Sequence, residues 1–335
     1  MDTLNKKLIC DNITSIPQNV VIVSHTSPDG DAIGSALAMN LVLKFYGHNS
    51  TVIFPDTYPD YYSWLPGIDN VIIAENDFDK AVEIIKNATM QVIVDMNHLK
   101  RAANIGRVLA EANAKRILID HHILDKSNFD AIYSTPNVSS TCELVYDIIE
   151  HLDSKSDNKI LNKDIAKCIY TGIVTDTGNF FHGNMSHRTF EITAQLILQG
   201  IDILKINQML YHNFSENRIR LLGFCLNNRL NIIHEHKAAY IYLTKEDLER
   251  FNYSEGDSED IVNYGLTIKG ISLSVFFIEK PKFIKISFRS EGDIDVNYFA
   301  KKYFNGGGHK NASGAHFHGS IEEAINTLKK CLLEI

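Results

Sequence analysis

The stretch VVIVSHTSPDGDAIGSALAMNLVLKFYG, residues 20–47, decides how the chain reads. Its first four residues, Val20 to Val23, are all β-branched and spell a short strand, and Ala32 to Tyr46 spell a helix. Gly47 stands where a helix-stopping C′ glycine belongs. Between strand and helix lies a polar turn, SHTSPDGD, with one imidazole and two carboxylates.

The same alternation continues outward from this unit. TVIF at 51–54 and VIIA at 71–74 read as strands, FDKAVEIIKNA at 78–88 as a helix, QVIV at 91–94 as a strand, AANIGRVLAEAN at 102–113 as a helix, and RILI at 116–119 as a strand. Strands followed by helices predict an α/β fold, an open and mostly parallel sheet with helices on both faces. Residues 139–212 then read as helical, with Asn162 an N-cap for the segment through IAKCIYTGIV. The polar, basic stretch NFSENRIRLLGFCLNNRL, 213–230, reads as a connecting helix. From 231 the signals change to hairpins: NIIHEHKAAYIYL, then GISLSVFFIEKPKFIKISFRS, where EKPK makes the turn and Pro281 suits no central strand. The expected organisation is a first domain over 1–185, a helical linker over 186–230 and a smaller α+β domain over 231–335.

Composition limits the function classes. A chain of 335 residues with 44% hydrophobic content can bury two sizeable cores. Apolar runs such as LVLKFY and VIVDM stop well short of the roughly 20 residues a bilayer crossing needs, so no membrane span is expected. The N-terminus does not read as a secretory signal, so a cytoplasmic protein is expected. Five scattered cysteines without a CxxC pair predict reduced, structural thiols. A net charge of −8 argues against gripping long duplexes and leaves room for a short anionic substrate held locally.

The chemistry sits at strand ends. VVIV leads into His25, Asp29 and Asp31; QVIV ends in Asp95; RILI ends in Asp120, His121 and His122. Ligands of open parallel sheets bind outside the carboxyl ends of the strands, where these side chains would converge. A fourth piece, TGIVTDTGNF at 171–180, puts Asp176 in an apolar helical segment, where a carboxylate is costly to bury without a cation or hydrogen bonds. Each has a plainer reading: PDG is a common turn, Asp29 could be an N-cap, Asp95 a solvated strand end and Asp176 a helix C-terminal turn in water. The adjacent histidines are harder to dismiss, since neighbours on a strand point to opposite sides and at most one should pack in a core. Together the set is oxygen-rich with some imidazole, which suits two divalent cations of the manganese or magnesium kind.

The segments SHTSPDGD, VDMNH, IDHH and TGIVTDTGNF, in this order, resemble motifs one to four of the DHH phosphoesterases, which include RecJ-like exonucleases and family II pyrophosphatases. RSEGDIDVNYFAKKYFNGGGHKNASGA, 289–315, resembles the signature of the DHH-associated C-terminal domain. Length, layout and this string are most similar to the bifunctional oligoribonuclease (nanoRNase) and pAp phosphatase branch. The resemblance implies that His25 and Asp29 hold one ion, that Asp31, His121 and Asp176 hold the other, and that Asp95 bridges them. It implies a catalytic role for His122 facing the scissile phosphate, and for Asp120 orienting a neighbouring histidine. Two divalent cations are expected, Mn2+ first, with Mg2+ or Co2+ as substitutes. Arg101 falls where the branch has a basic residue, although an exposed helix-start arginine reads equally well. His98, after Met96 and Asn97, departs from the branch's pattern and is expected to be a neighbour of the site and not a ligand.

In the second domain, Gly306, Gly307, Gly308 and His309 offer backbone N–H groups unobstructed by side chains, a setting for a phosphate or a base, with a flexible loop as the alternative. Period-two spacing puts Lys285, Ser287 and Arg289 on one face of KFIKISFRS, with Arg289 the expected phosphate or terminal-nucleotide contact. The function expected is two-metal hydrolysis of phosphate esters in short single-stranded RNA or DNA oligonucleotides, or in small nucleotides such as pAp. A homodimer is compatible with this. Cyclic-dinucleotide or linear dinucleotide hydrolysis is the enzymatic rival, and a non-catalytic nucleic-acid-binding module the rival from another class.

Overall fold

Strand–helix alternation runs through the N-terminal part of the computed structural model, which describes residues 3–124, 129–181 and 183–334. The order is α1 (Thr3–Ile13), β1 (Asn19–Val23), α2 (Gly30–Phe45), β2 (Asn49–Phe54), β3 (Ile72–Ile73), α3 (Phe78–Asn87), β4 (Met90–Val94), α4 (Ala103–Glu111), β5 (Lys115–Asp120), β6 (Ala131–Ser134), α5 (Thr141–Asp153), α6 (Lys163–Asp176), α7 (His187–Leu198) and α8 (Ile203–Tyr211). The strands form one sheet in the order β3-β2-β1-β4-β5-β6, and every neighbouring pair is parallel. The chain moves outward from β1 to β3 and then returns to lay β4 on the other side of β1. The order therefore reverses between β1 and β4, which is where ligands of such sheets bind.

Alternate residues of each strand enter different cores, as pleating requires. Val20, Ile22, Val92, Val94, Ile117 and Ile119 pack beneath α2, α5 and α6. Val21, Val23, Ile93 and Leu118 pack on the opposite face against Ala81 and Ile85 of α3 and Ile105 and Leu109 of α4. Helices thus cover both faces, as the sequence predicts. Two short elements escaped the sequence reading: α1, and the edge strand β6.

Helix α2 has no solvent stripe over its first eleven residues, Gly30–Asn40, all of which are buried. Sheet on one side and α6 on the other leave no room for side chains where the two helices cross. A methyl group at Gly34 would strike the carbonyl of Cys168, and one at Gly172 would stand 2.8 Å from Asp31 Oδ1 of α2 and strike Cys142 Sγ of α5. This close crossing fixes the start of α2 against α6, and both helices carry carboxylates of the site. The sequence-read boundaries of these helices hold: Asn162 caps α6 by accepting from the amides of Asp164 and Ile165, and Gly47 follows α2 at φ +82°.

The chain divides into two compact units, Met1–Asn213 and Phe214–Ile335. The expected linker, 186–230, is shared between them: α7 and α8 lie in the first unit, and α9 (Glu216–Phe224) in the second. The apolar sides of α7 and α8, with Ile192, Leu196, Ile206 and Leu210, join the first core.

The second unit continues with β7 (Asn231–Ile233), β8 (Ala238–Leu243), α10 (Lys245–Arg250), β9 (Leu273–Glu279), β10 (Ile284–Ser290), α11 (Val296–Phe304), β11 (Gly307–Gly308), β12 (Ala312–Phe317) and α12 (Ile321–Cys331). Its sheet runs β11-β12-β10-β9-β8-β7. Only β8 and β9 are parallel among its described pairs. The EKPK segment turns between β9 and β10, where Lys280 N donates to Phe283 O at 2.9 Å. One face, with Val275, Phe277, Ile284, Ile286 and Phe288, packs on α11 and α12. On the other, Ile241, Leu243, Phe276 and Ile278 pack with Leu221 of α9. All five cysteines are buried. Among the described residues no helix is long and apolar enough to cross a membrane.

Candidate metal centre

Five segments bring their polar residues to one place. Asp95 comes directly after β4 and takes a left-handed backbone, φ +54°. A non-glycine residue there is uncommon and marks a position that surrounding contacts must hold. Its amide donates to Ile119 O at 3.0 Å. The carboxylate, nearly buried, is 3.3 Å from His25 Nε2 through Oδ2. Its Oδ1 accepts from Thr141 Oγ1 at 2.9 Å and lies 3.5 Å from both His121 Nε2 and His122 Nδ1.

Around Asp95 the ligand-type atoms of the first unit fall into three groups among the described residues, one of them Asp95, Asp120 and His122. His25, Asp29 and Asp95 each place one within 4.8 Å of the others, and so do Asp31, His121 and Asp176. His121 Nε2 is 3.5 Å from Asp176 Oδ2 and 3.8 Å from Asp31 Oδ2. The plainer reading of Asp29 is also true, since its Oδ1 caps α2 by accepting from the amides of Asp31 and Ala32, both at 3.1 Å. Asp176 is the last residue of α6, but its side chain is only 29% exposed and faces His121. A carboxylate at a helix C-terminus is disfavoured by the helix dipole, so this placement calls for a compensating cation.

The two adjacent histidines differ from the strand expectation. Both reach the cluster, with rings 4.9 Å apart and edge-on at 75°, because β5 ends at Asp120 and strand alternation no longer governs them. His122 Nδ1 lies 2.8 Å from Asp120 Oδ1. Arg101 Nη1 donates to His122 Nε2 at 3.2 Å, which leaves the ring proton on Nδ1. Arg101 is therefore in the cluster and not merely at an exposed helix start. His98 caps the turn that carries Arg101, its Nδ1 accepting from Lys100 N at 2.9 Å, a supporting place beside the site.

The residues fit divalent cations. Burial is the largest influence on the ionisation of Asp31, which rises well above the usual carboxylate range with Asp95 adding to it. At His121 burial works against the charged ring, yet Asp176, Asp95, Asp31 and Asp120 outweigh it and push the pKa to about 9. At Asp95 burial opposes the charge, and the hydrogen bond from His25 with the imidazoles of His122 and His121 wins, holding it far below the usual value. Protons are shared in this cluster where cations would serve, and Asp120 Oδ2 is buried with no partner. So many buried carboxylates are costly without cationic partners. Sequence reading missed one contributor, the N-terminus of α5: Thr141 N donates to Asp31 Oδ2 at 2.6 Å and Cys142 N to Asp31 Oδ1 at 2.9 Å. The Ser139–Ser140 pair before an apolar run is the signal that could have found it.

In the second unit, Lys285, Ser287 and Arg289 share one face of β10, as expected, while Ile284, Ile286 and Phe288 are buried. Register sets them beside His316, Gly314 and Ala312 of β12, and Gly307 beside Gly314. The glycine run differs from an open amide cradle. Gly306 N donates to Ala300 O and His309 N to Ala312 O, and Gly308 N donates to Asn297 Oδ1. What these glycines supply is space, because side chains at Gly306 and Gly308 would collide with the backbone of Gly314 and Ala312. Arg289 is flanked in register by Ala312 of β12 and Ser274 of β9.

Comparison with known proteins agrees with this arrangement. Residues 19–173 match the model of the DHH family, N-terminal domain, and residues 236–334 that of the DHHA1 domain. The bifunctional oligoribonuclease and PAP phosphatase NrnA of Bacillus subtilis (strain 168) is 29% identical, covering 94% of each chain. The cyclic-di-AMP phosphodiesterase PdeA of Listeria monocytogenes serotype 1/2a (strain 10403S) is 29% identical over 92% of this chain and 46% of its own length. An exopolyphosphatase-related protein from Bacteroides fragilis superposes with a TM-score of 0.90 at 35% identity, covering 100% of this chain and 98% of that one. RecJ from Thermus thermophilus, solved in complex with Mn2+, shares the fold at a TM-score of 0.56 and 12% identity, over 100% of this chain and 55% of that one. The chain belongs to the DHH family, with a DHH N-terminal domain followed by a DHHA1 domain.

Proposed function

We propose that this protein is a two-metal phosphoesterase that hydrolyses short oligonucleotides and 3′,5′-bisphosphate nucleotides of the pAp kind. The observation that carries the reading is the pair of three-residue groups sharing one neighbourhood around Asp95. The similarity to NrnA over 94% of the chain supports the substrate class. Manganese is the cation of choice for an oxygen-rich set with imidazole, and it is the ion bound by the RecJ relative.

His25 and Asp29 would hold one cation, Asp31, His121 and Asp176 the other, and Asp95 would be shared. Bound there, the cations supply a water-derived nucleophile near neutral pH and offset charge building on phosphoryl oxygens. The protein's own groups do the rest. Asp120 keeps the His122 proton on Nδ1, so Nε2 steadies Arg101, whose remaining N–H groups are donors for a phosphoryl oxygen. When Arg101 turns to the phosphoryl oxygen, Nε2 is freed to take the proton that the attacking water loses and to pass it to the leaving oxygen, with Asp120 stabilising the imidazolium between the two transfers. Arg289, on β10 of the DHHA1 domain, is the proposed contact for a terminal phosphate or nucleotide, with Gly306, Gly307, Gly308 and His309 proposed beside it.

The test is a product time course on a five-nucleotide RNA with Mn2+, beside pAp and cyclic di-AMP. Stepwise loss of mononucleotides together with phosphate release from pAp is expected, and Asp95→Asn should abolish both while the protein stays folded. Asparagine tolerates the left-handed backbone, so the charge alone is removed. The resemblance to PdeA favours cyclic-dinucleotide hydrolysis as a second reading, which preferential opening of cyclic di-AMP would establish. Binding without turnover of any substrate would overturn the enzymatic reading.

A further inference from the structure

The first turn of α5 spends its hydrogen-bonding groups on the metal centre and not on itself. Ser140 already caps the helix, its hydroxyl accepting from Glu143 N at 3.2 Å, so the hydroxyl of the next residue, Thr141, has no capping duty. It crosses to Asp95 Oδ1 at 2.9 Å. The amides of Thr141 and Cys142, two of the groups every helix N-terminus leaves without internal partners, grip both oxygens of Asp31 at 2.6 and 2.9 Å. One residue therefore touches two of the three carboxylates packed around His121.

That turn is itself anchored. Glu143, almost fully buried, accepts from Ser139 N at 3.2 Å and Ser139 Oγ at 2.6 Å. It also accepts from Thr189 Oγ1 at 2.9 Å, in the first turn of α7. Ionised together, as cation binding requires, Asp31 and Asp95 repel in a buried site and would separate or rotate unless held. The hydroxyl and amide of Thr141, with the amide of Cys142, hold both.

We propose that Thr141 is a positioning residue of the metal centre: its hydroxyl and the first two amides of α5 set the orientations of Asp95 and Asp31 before any cation arrives. The centre is then preorganised, and cation binding costs little rearrangement. This rests on the two-metal reading above, and its test separates the two.

The full-length protein, stripped of metal, is titrated with Mn2+ while the spectrum of free aqueous Mn2+ is followed by electron paramagnetic resonance. Thr141→Val keeps the shape and removes the hydroxyl. Its Mn2+ affinity should fall by about tenfold or more, the effect typical of groups that orient metal ligands. Thr141→Ser restores the donor and should return affinity to within about threefold of the parent. Should Thr141→Val not fold, Thr141→Ala takes its place with the same expectation. Equal affinity in parent and hydroxyl-free variant would overturn the role of Thr141, and so would a serine variant as weak as valine, since packing of the methyl would then be what matters. A parent protein that takes up no Mn2+ would instead overturn the metal-centre reading itself.

Discussion

His122 Nδ1 stands 2.8 Å from Asp120 Oδ1, a carboxylate wholly buried at the end of β5. The contact settles which ring nitrogen carries the proton, and so lets Nε2 accept from Arg101. Asp120→Asn keeps the shape but offers an amide that can present its N–H to the ring, favouring the opposite tautomer. Turnover of a five-nucleotide RNA should fall by about 10- to 100-fold, the range for loss of a group that orients an active-site histidine. Mn2+ affinity should change far less, because Asp120 is placed behind His122 and not among the proposed ligands. Steady-state kinetics at saturating Mn2+ checks this, and an unchanged kcat would remove Asp120 from the mechanism.

Cation binding should be linked to pH in a direction that the cluster dictates. In the metal-free protein burial opposes the charge on His121, and four aspartates more than reverse this, raising its pKa from an ordinary 6.5 to about 9. A group whose folded-state pKa is raised adds stability that is present below its unfolded value and is lost as pH rises through the folded one. This contribution in the metal-free protein should therefore decline between about pH 6.5 and 9. Mn2+ must displace that proton, so its affinity should increase over the same interval. Thermal melts with and without Mn2+ across that range give the check, and a Mn2+-induced rise in Tm that shrinks with increasing pH would contradict it.

Much of this was legible in the sequence because strands announce themselves by β-branched runs, and the polar residues just after each run stand at the carboxyl edge of a parallel sheet. His25, Asp31, Asp95 and His121 were found that way, and Asp176 by its place in an apolar helical segment. Thr141 was not, because a threonine one residue inside a helix looks like any first-turn residue until its hydroxyl is seen to cross to Asp95. The glycines at 306–308 read as an open amide cradle, whereas three amides of Gly306–His309 have internal acceptors. Glycine composition cannot distinguish exposed amides from a tight strand pairing. Arg101 was undecided for a similar reason: its position in the chain fits either a helix start or a site, and only its contact with His122 places it in the cluster.

The close crossing of α2 and α6 makes Gly172 a link between packing and chemistry. A methyl there would meet Cys142 Sγ, and would stand 2.8 Å from Asp31 Oδ1. Gly172→Ala should destabilise the protein by about 1–3 kcal/mol through overpacking, even though alanine is the better helix former. It should also weaken Mn2+ binding, since Asp31 must shift. Urea unfolding of the metal-free protein and a Mn2+ titration read the two effects, and a stabilised variant with full Mn2+ affinity would show that the helices separate freely.

Arg289 on β10 is paired in register with Ala312 of β12 on one side and Ser274 of β9 on the other. Its Nη1 donates to Phe288 O at 3.1 Å, which keeps the guanidinium close to the strand. A residue that binds substrate away from the bond being cleaved contributes mainly to the free energy of binding, shared by ground and transition states, so its loss appears in KM. Arg289→Ala removes a charge-assisted contact of roughly 1.5–3 kcal/mol, which corresponds to a KM for RNA higher by about 10- to 100-fold. Arg289→Lys should recover only part of this, because an ammonium cannot make the bidentate contact to a phosphate. The parent and both variants compared on the five-nucleotide RNA over a range of concentrations provide the measurement. An unchanged KM with a reduced kcat would place Arg289 in the chemical step, and no change in either would take Arg289 out of substrate binding.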